Sequence, residues 1–317
     1  MRLLVTGGAG FIGSHFVRHV LDEGDEVVTL DALTYAGSRA NIEGVFDHPR
    51  HEFIEGDVRD RDLVNDLVEE VDTVVNFAAE SHVDRSIDTA RVFVETNVAG
   101  TQTLLAAARD AAVDRFLQIS TDEVYGEILE GTFSEADRLE PRNPYAATKA
   151  GADHLVRSYG TTHDLPVVIA RACNNFGPRQ HPEKLIPKFI TKAAAGRSLP
   201  LYGDGSNVRE WLYVADNCRA IDHVLREGAV GEIYNVGSGE ERTNLEVARA
   251  IVDKVGADED LIEFVADRAG HDRRYALDAS KIRSLGWEPE LAFEEGLERT
   301  VEYYLDSSAS SGQQSRS

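Results

Sequence analysis

The sequence predicts an α/β protein: a doubly wound parallel sheet followed by a smaller C-terminal substrate-binding lobe. Three observations carry this expectation. A glycine-rich turn follows a short apolar run at the N-terminus, apolar runs then alternate with helical stretches as far as residue 172, and Gly-, Pro- and Asn-rich segments take over beyond it. Parallel strands are covered on both faces and read as near-continuous apolar runs, and their alternation with helices is the pattern of βαβ units.

Residues 2–6 (Arg-Leu-Leu-Val-Thr) fit a first buried strand, and a helix is expected over 11–23, stopped at Gly24. A second strand covers 26–30 and ends at Asp31. Further strands are expected at 52–55, 73–77, 115–120 and 166–170, with helices near 60–69, 90–110 and 144–162. Gly, Pro and Asn cluster at 174–187 and again at 200–207, so 173–305 reads as a lobe closing over the strand ends, with some segments free to return to the sheet. The Ser- and Gln-rich residues 306–317 are expected to be a disordered tail. No internal repeat is present.

Composition narrows the function. The formal net charge is −23, and six of the 33 basic residues are lysine. Such a surface repels phosphate backbones, so nucleic acid is not an expected partner. The replacement of Lys by Arg under an excess of acids fits a high-salt cytoplasm. No run of about 18 apolar residues is present, so no membrane span is expected. The N-terminus shows no cleavable signal pattern, and Cys173 and Cys218 are too few for a disulfide framework or a structural zinc site. A cytoplasmic enzyme is the expectation.

Gly7, Gly10 and Gly13 stand at three-residue spacing between the first strand and its helix. Gly7 allows the tight turn, Gly10 lets the backbone approach a pyrophosphate, and Gly13 permits close packing of helix on strand. The helix N-terminus adds amide donors and the positive end of a dipole. Asp31 closes the second strand 24 residues past Gly7, where a carboxylate accepts bonds from ribose hydroxyls and repels a 2′-phosphate. Residues 1–172 therefore read as a Rossmann-like domain that binds NAD rather than NADP. Tyr145 and Lys149 follow Asn143-Pro144, a helix start, and four-residue spacing puts them on one helical face. An ammonium and a cationic nicotinamide beside Tyr145 would lower its phenol from near pH 10 toward useful basicity. Lys149 is also the first lysine of the chain.

The strand 116–120 delivers Thr121, Asp122 and Glu123 at its carboxyl end, where open α/β sheets bind ligands. The spacing G-x-x-G-x-x-G with Tyr145-x-x-x-Lys149 resembles the extended short-chain dehydrogenase/reductase superfamily. Ser120-Thr-Asp-Glu-Val-Tyr-Gly126 is similar to the active-site segment of dTDP-glucose 4,6-dehydratases. The resemblance runs to about residue 305 through Asp31-Ala-Leu-Thr-Tyr-Ala-Gly37, Ala78-Ala-Glu-Ser-His-Val-Asp-Arg-Ser86, Thr96-Asn-Val98, Asn174-Asn-Phe-Gly-Pro-Arg-Gln180, Pro182-Glu-Lys-Leu-Ile-Pro187, Leu201-Tyr-Gly-Asp-Gly205, Asn207-Val-Arg-Glu-Trp-Leu-Tyr213 and Asp267-Arg-Ala-Gly-His-Asp-Arg-Arg-Tyr275. It departs at Phe176, where the family usually has Tyr, at Glu210, where Asp is usual, and at Asn217, near an often-His position. None of the three is expected to touch the chemistry.

The resemblance implies a catalytic set of Thr121, Asp122, Glu123, Tyr145 and Lys149. Tyr145, assisted by Thr121, would take the C4 hydroxyl proton while hydride passes to NAD. Glu123 would remove the C5 proton, and protonated Asp122 would serve the leaving C6 hydroxyl. It implies cofactor contacts from Gly7, Gly10, Phe11, Ile12, Gly13, Asp31, Ala32, Leu33, Thr34, Tyr35, Ala36, Asp57, Val58, Ala78, Ala79, Thr96 and Asn175, beside Tyr145 and Lys149. Substrate contacts are implied from Ser81, Thr121, Asn174, Lys184, Leu185, Pro200, Leu201, Tyr202, Arg209, Asn244, Asp267, Arg268, Ala269, Gly270 and His271. Lys184 and Arg209 are the expected diphosphate partners of a nucleotide-diphosphate sugar. No metal is implied; His82, His181 and His271 read as hydrogen-bonding residues. A homodimer built on the helices near 90–110 and 144–162 is implied by analogy. A UDP-sugar dehydratase or a sugar epimerase on the same scaffold is the alternative.

Overall fold

The computed structural model describes residues 1–267 and 270–314. Among these, twelve strands form three sheets: β1 (Arg2–Thr6), β2 (Glu26–Asp31), β3 (His51–Glu55), β4 (Thr73–Asn76), β5 (Arg115–Thr121), β6 (Val167–Ala172), β7 (Asn174–Phe176), β8 (Leu199–Tyr202), β9 (Val208–Tyr213), β10 (Ile233–Val236), β11 (Glu241–Thr243) and β12 (Ile262–Val265). The main sheet has seven strands in the order β10-β6-β5-β4-β1-β2-β3. All its pairings are parallel. This is the expected doubly wound sheet. Strand order reverses between β1 and β4, and the crevice at such a switch point is where open α/β sheets bind ligands.

Alternation along each strand divides the core. Leu3, Val5, Val75, Leu117 and Val168 pack on one face with Phe16, Val17 and Ile221. Leu4, Val28, Leu30, Val74, Phe116 and Val167 pack on the other with Val64, Leu104 and Leu105. Period-two side chains of a parallel strand leave no exposed face, which explains the apolar runs read from the sequence. The helix Pro144–His163 starts where Asn143 caps it, its Oδ1 accepting the Ala146 amide at 2.8 Å, with Pro144 in the first turn.

The helix expected over 90–110 is broken. A short α-helix (Ala90–Phe93) passes into a π-helix (Val94–Gly100) before α-geometry resumes at Thr101–Ala111. The wider turn carries buried Asn97, whose amide bonds the Glu80 backbone at 2.8 and 3.0 Å and donates to the Thr148 hydroxyl at 2.9 Å. Residue-level periodicity does not distinguish this from a continuous α-helix.

The C-terminal half forms a sheet β11-β9-β7 and the pair β8–β12 around a third apolar cluster that includes Phe176, Ile190, Leu201, Trp211, Ile251, Phe293 and Leu297. One of its strands, β10, returns to the main sheet beside β6. The expected disordered tail differs at its start: the last helix runs Phe293–Gln314, past Asp306, since Ser and Ala continue a helix whose earlier turns are anchored by Phe293, Leu297 and Val301. Residues 315–317 lie outside the described residues.

Candidate active site

The carboxyl ends of β1, β2, β4, β5 and β6 open into one cleft of about 380 Å³. Its floor is the glycine turn. Gly7 has φ +67°, and a Cβ there would sit 2.8 Å from the Ala78 amide nitrogen; a Cβ on Gly13 would collide with the Gly7 carbonyl. Only glycine keeps this cradle open. Asp31, at the end of β2, accepts the Ala9 amide at 2.9 Å and the Leu33 amide at 2.8 Å. Burial pushes its carboxyl up, partly offset by those two donors. Each oxygen keeps a lone pair for a further donor.

The opposite wall carries the proposed chemistry. β5 ends at Thr121, whose hydroxyl accepts the Glu123 amide at 3.3 Å and so caps the 3₁₀ turn Asp122–Tyr125. Asp122 is 2% exposed. Its Oδ1 accepts the Thr121 hydroxyl at 3.1 Å, and its Oδ2 has no hydrogen-bond partner among the described residues. Burial, then the charges of Glu123 and Glu210, push Asp122 up to about 8. Glu123 is less buried and accepts Asn143 Nδ2 at 3.1 Å, so the residue that caps the Tyr145 helix also holds this carboxylate. Neighbouring carboxyls in such unlike surroundings split into one acid and one base.

Lys149 is buried and Tyr145 half-buried in the cleft wall. Lys149 Nζ donates to the Ile119 carbonyl at 2.6 Å. Burial pulls Lys149 down to about 8, against the attraction of Asp153. Burial also raises the Tyr145 phenol, and Glu123 and Asp122 raise it further, while the Thr121 hydroxyl acts the other way. Burial and the two carboxyls thus hold the Tyr145 phenol up in the chain by itself, and the expected lowering, by the Lys149 ammonium and a cationic ring together, belongs to the cofactor-bound state.

Of the expected cofactor residues, Gly7, Gly10, Phe11, Ile12, Gly13, Asp31, Ala32, Thr34, Tyr35, Ala36, Asp57, Val58, Ala78, Ala79, Thr96 and Asn175 line the cleft with Tyr145 and Lys149. Leu33 does not line it; its amide holds Asp31, and its own φ is +48°. Asp57 spends its carboxylate on Arg59, at 2.6 Å from NH2. The residues fit an NAD: the cradle leaves no room for a Cβ at Gly7 or Gly13, and Asn175 Oδ1 and Ser120 Oγ are buried without a partner among the described residues. Unsatisfied buried acceptors at a ligand cleft are groups a ligand can complete.

The substrate set divides. Ser81, Thr121, Asn174 and Lys184 line the cleft, whereas Leu185, Pro200, Leu201, Tyr202, Arg209, Asn244, Asp267, Gly270 and His271 stand outside it. Lys184 Nζ donates to the Ser81 carbonyl at 2.9 Å. Arg209 is 5% exposed, with NH1 on the Val208 carbonyl at 2.7 Å, NH2 on that of Asp272 at 2.8 Å and the guanidinium over the Tyr275 ring. These contacts hold the Arg209 guanidinium inside the lobe, and its expected part in binding a diphosphate stays a proposal. His271 bonds Asp267 at 2.6 Å, and Arg268 and Ala269 lie outside the described residues. Glu210 also needs correction: its charge bears on Asp122, and its carboxylate is fixed by the Gly239 amide at 2.7 Å and the Leu277 amide at 3.0 Å. No group of three or more His, Cys, Asp or Glu residues able to hold a metal occurs among the described residues.

A family model described as GDP-mannose 4,6 dehydratase matches residues 4–300. The chain belongs to this family. Within it, the chain is 70% identical over 306 residues to a low-salt glycan biosynthesis protein of Haloferax volcanii, covering 96% of this chain and 99% of the relative. It is 51% identical over 316 residues to a dTDP-glucose 4,6-dehydratase of Streptomyces niveus, covering 98% and 94%. A crystal structure of a dTDP-glucose 4,6-dehydratase from Streptomyces venezuelae, with NAD bound, superposes with a TM-score of 0.96 at 55% identity, covering 98% of each chain. A Thermus thermophilus UDP-glucose 4-epimerase complex with NAD superposes at 0.90 with 34% identity, covering 96% and 99%. The resemblance to dTDP-glucose 4,6-dehydratases read from the motifs is borne out. Because the backbone is shared with epimerases, side chains in the cleft must decide the reaction of each dehydratase-family member.

Some residues of this dehydratase fold escaped sequence reading. Ser120, Cys173, Glu80, Gln180 and Glu183 line the cleft, and Asn97 and Asn143 fix residues that do. Asn143 was legible as a helix cap but not as the partner of Glu123. Asn97 lay inside the quoted segment Thr96-Asn-Val98, but its neighbours Glu95, Thr96 and Gln102 are polar too, so nothing local marked it.

Proposed function

We propose that this cytoplasmic chain is an NAD-dependent nucleotide-sugar 4,6-dehydratase that converts dTDP-glucose to dTDP-4-keto-6-deoxyglucose. One observation carries the reading: a buried Asp122 pushed up to about 8 stands beside the more exposed Glu123 at the end of β5, in the cleft that also holds Tyr145 and the glycine cradle. Gly7, Gly10 and Gly13 with the helix N-terminus would hold the pyrophosphate, Asp31 the adenosine ribose, and Asn175 the far end of the cofactor. NAD, when bound, accepts the C4 hydride of the sugar and returns it to C6.

The chain's own residues move the protons. Tyr145, assisted by Thr121, takes the C4 hydroxyl proton, and Lys149 contributes the positive charge that this step favours. The resulting C4 ketone acidifies C5–H, and Glu123 removes that proton. Asp122 enters with a proton, because its raised affinity keeps it neutral at pH 7, and passes it to the departing C6 hydroxyl. Glu123 returns its proton to C5, and the C4 hydroxyl proton left on Tyr145 replaces, by way of solvent, the one that Asp122 gave up, so every residue is restored and the net change is loss of water. An epimerase needs no such acid and base at C5 and C6, and for that reason the epimerase reading is second.

Residues 1–172 supply the cofactor side, and 173–305 supply most of the sugar-nucleotide side, with Ser81, Asn174 and Lys184 at the junction. By analogy with the family, we propose a homodimer built on the helical stretches near 90–110 and 144–162. No helix of the described residues is long and apolar enough to cross a membrane. The test is incubation of the purified protein with dTDP-glucose and UDP-glucose at high salt. A 4-keto-6-deoxy product from dTDP-glucose is expected; product from UDP-glucose alone would correct the base, and product from neither, with folded NAD-loaded protein, would reject the dehydratase.

A further inference from the structure

Behind the catalytic wall lies a buried charge pair that the reaction does not use. Arg171 on β6 is 1% exposed and Asp153 is 0% exposed. Arg171 Nε donates to Asp153 Oδ2 at 2.9 Å. Asp153 is one helical turn past Lys149, and its Oδ1 has no hydrogen-bond partner among the described residues. Arg171 NH1 also donates to the Tyr125 hydroxyl at 2.9 Å, and that hydroxyl donates to Asn235 Oδ1 on β10 at 2.7 Å. Tyr125 ends the turn that begins at Asp122. One guanidinium thus joins the helix carrying Tyr145 and Lys149 to the turn carrying Asp122 and Glu123.

A buried ion pair adds little net stability over apolar packing, so its presence here calls for another role. We propose that Asp153, oriented by Arg171, is the counter-charge that keeps Lys149 an ammonium, and that both are positioning residues for the catalytic set. This rests on the dehydratase reading for its consequence, but not for the charge relation itself. Tyr145 shares the helix with Lys149 and Asp153; Asp122, Glu123 and Tyr125 face it from the turn after β5; Arg171 and Cys173 come from β6 and its end. The other charged groups on elements packed against this helix (Asp84, Arg85, Asp88, Arg91, Glu95, Arg109, Asp110 and Arg115) are exposed or half-buried, whereas Asp153 stands one turn from Lys149 on the same helical face and is buried with it. Burial alone would strip the proton from Lys149 well below its usual range, and Asp153 opposes that loss.

The test exploits the scarcity of lysine. With six lysines, a ¹³C-lysine-labelled protein gives few signals, and a Lys149→Arg sample assigns the one at issue. Asp153→Asn, which keeps the shape and an acceptor for Arg171, is expected to move the Lys149 titration down by about one pH unit. Arg171→Gln, which leaves Asp153 uncompensated, is expected to move it up. Opposite signs cannot come from general loosening of the fold. Should Asp153→Asn alone not fold, the neutral pair Asp153→Asn/Arg171→Gln, which leaves no unpaired buried charge, is expected to shift Lys149 down as well. In single-turnover assays the alkaline limb of C4 oxidation, read as the absorbance of reduced cofactor before any elimination, moves in step with each titration. An unmoved Lys149 signal, or shifts of one sign in both single variants, would overturn the proposal. Absence of dehydration by the unmodified enzyme would instead count against the reaction assigned above.

Discussion

The two halves of the cleft were built by different means. On the inner half, the strands of the parallel sheet fix Asp31 at the end of β2 and Thr121 at the end of β5, and the capped helix beside them fixes Tyr145 and Lys149. On the outer half, candidate substrate residues come from β8, β9 and the 267–271 segment, and they hold one another rather than the cleft. Arg209 braces carbonyls and stacks on Tyr275, and His271 pairs with Asp267. A strand end of the main sheet positions a side chain whether or not a ligand is there, while the outer residues satisfy themselves with the nearest polar partner. The expected chemistry therefore gathers at the main sheet and its capped helix, and the expected recognition residues in the outer lobe.

That contrast can be broken most severely at Tyr145. Tyr145→Phe keeps the ring and removes the proton acceptor, so the rate of dehydration should fall by about 10²–10⁴ with KM little changed. A variant within a few-fold of the parent would remove Tyr145 from the mechanism. Glu123→Gln should lower water loss by about 10²-fold while the absorbance of reduced cofactor still rises on mixing with substrate. A Gln variant that dehydrates normally would show that the base lies elsewhere.

The Asp122 proton predicts a pH dependence with a definite sign. Its affinity is raised to about 8, so the acid is loaded below that pH, and elimination should decline as pH rises through it. Asp122→Asn cannot give a proton at any pH, and should be slow throughout without that limb. At the cradle, Gly13→Ala puts a methyl against the Gly7 carbonyl. It should cost about 1–3 kcal/mol in denaturant unfolding and weaken NAD binding measured by calorimetry.

The outer half should give the smallest effects on chemistry. Lys184→Ala is expected to raise KM about tenfold with kcat nearly unchanged, the mark of lost ground-state binding. Arg209→Ala should instead destabilise the fold by about 1–3 kcal/mol, because the Asp272 carbonyl keeps only Asn207 as donor and Tyr275 loses the guanidinium packed on its ring. Equal KM effects without loss of stability would return Arg209 to the substrate.

The inner half was legible because its signals are local. Three glycines, a closing aspartate, a capped helix with Tyr145 and Lys149 in step, and an acid pair past an apolar strand each follow from short-range rules. What could not be read depends on contacts between distant segments. Glu210 acts on Asp122 from another sheet, Asn143 reaches Glu123 while capping its own helix, and the Lys149 ammonium turns to the Ile119 carbonyl rather than serving Tyr145 alone. The π-turn at Val94–Gly100 was hidden for a related reason, since one extra residue per turn leaves the apolar pattern nearly intact.

The central claim is that one hydrogen travels within one sugar, from C4 to C6, while Asp122 and Glu123 expel water between the two transfers. The most direct measurement uses dTDP-glucose deuterated at C4 and reads the product by mass and by NMR. The account predicts a 4-keto-6-deoxy product with the deuterium retained at C6. Product carrying only solvent hydrogen at C6, or recovered sugar inverted at C4 without loss of water, would contradict it.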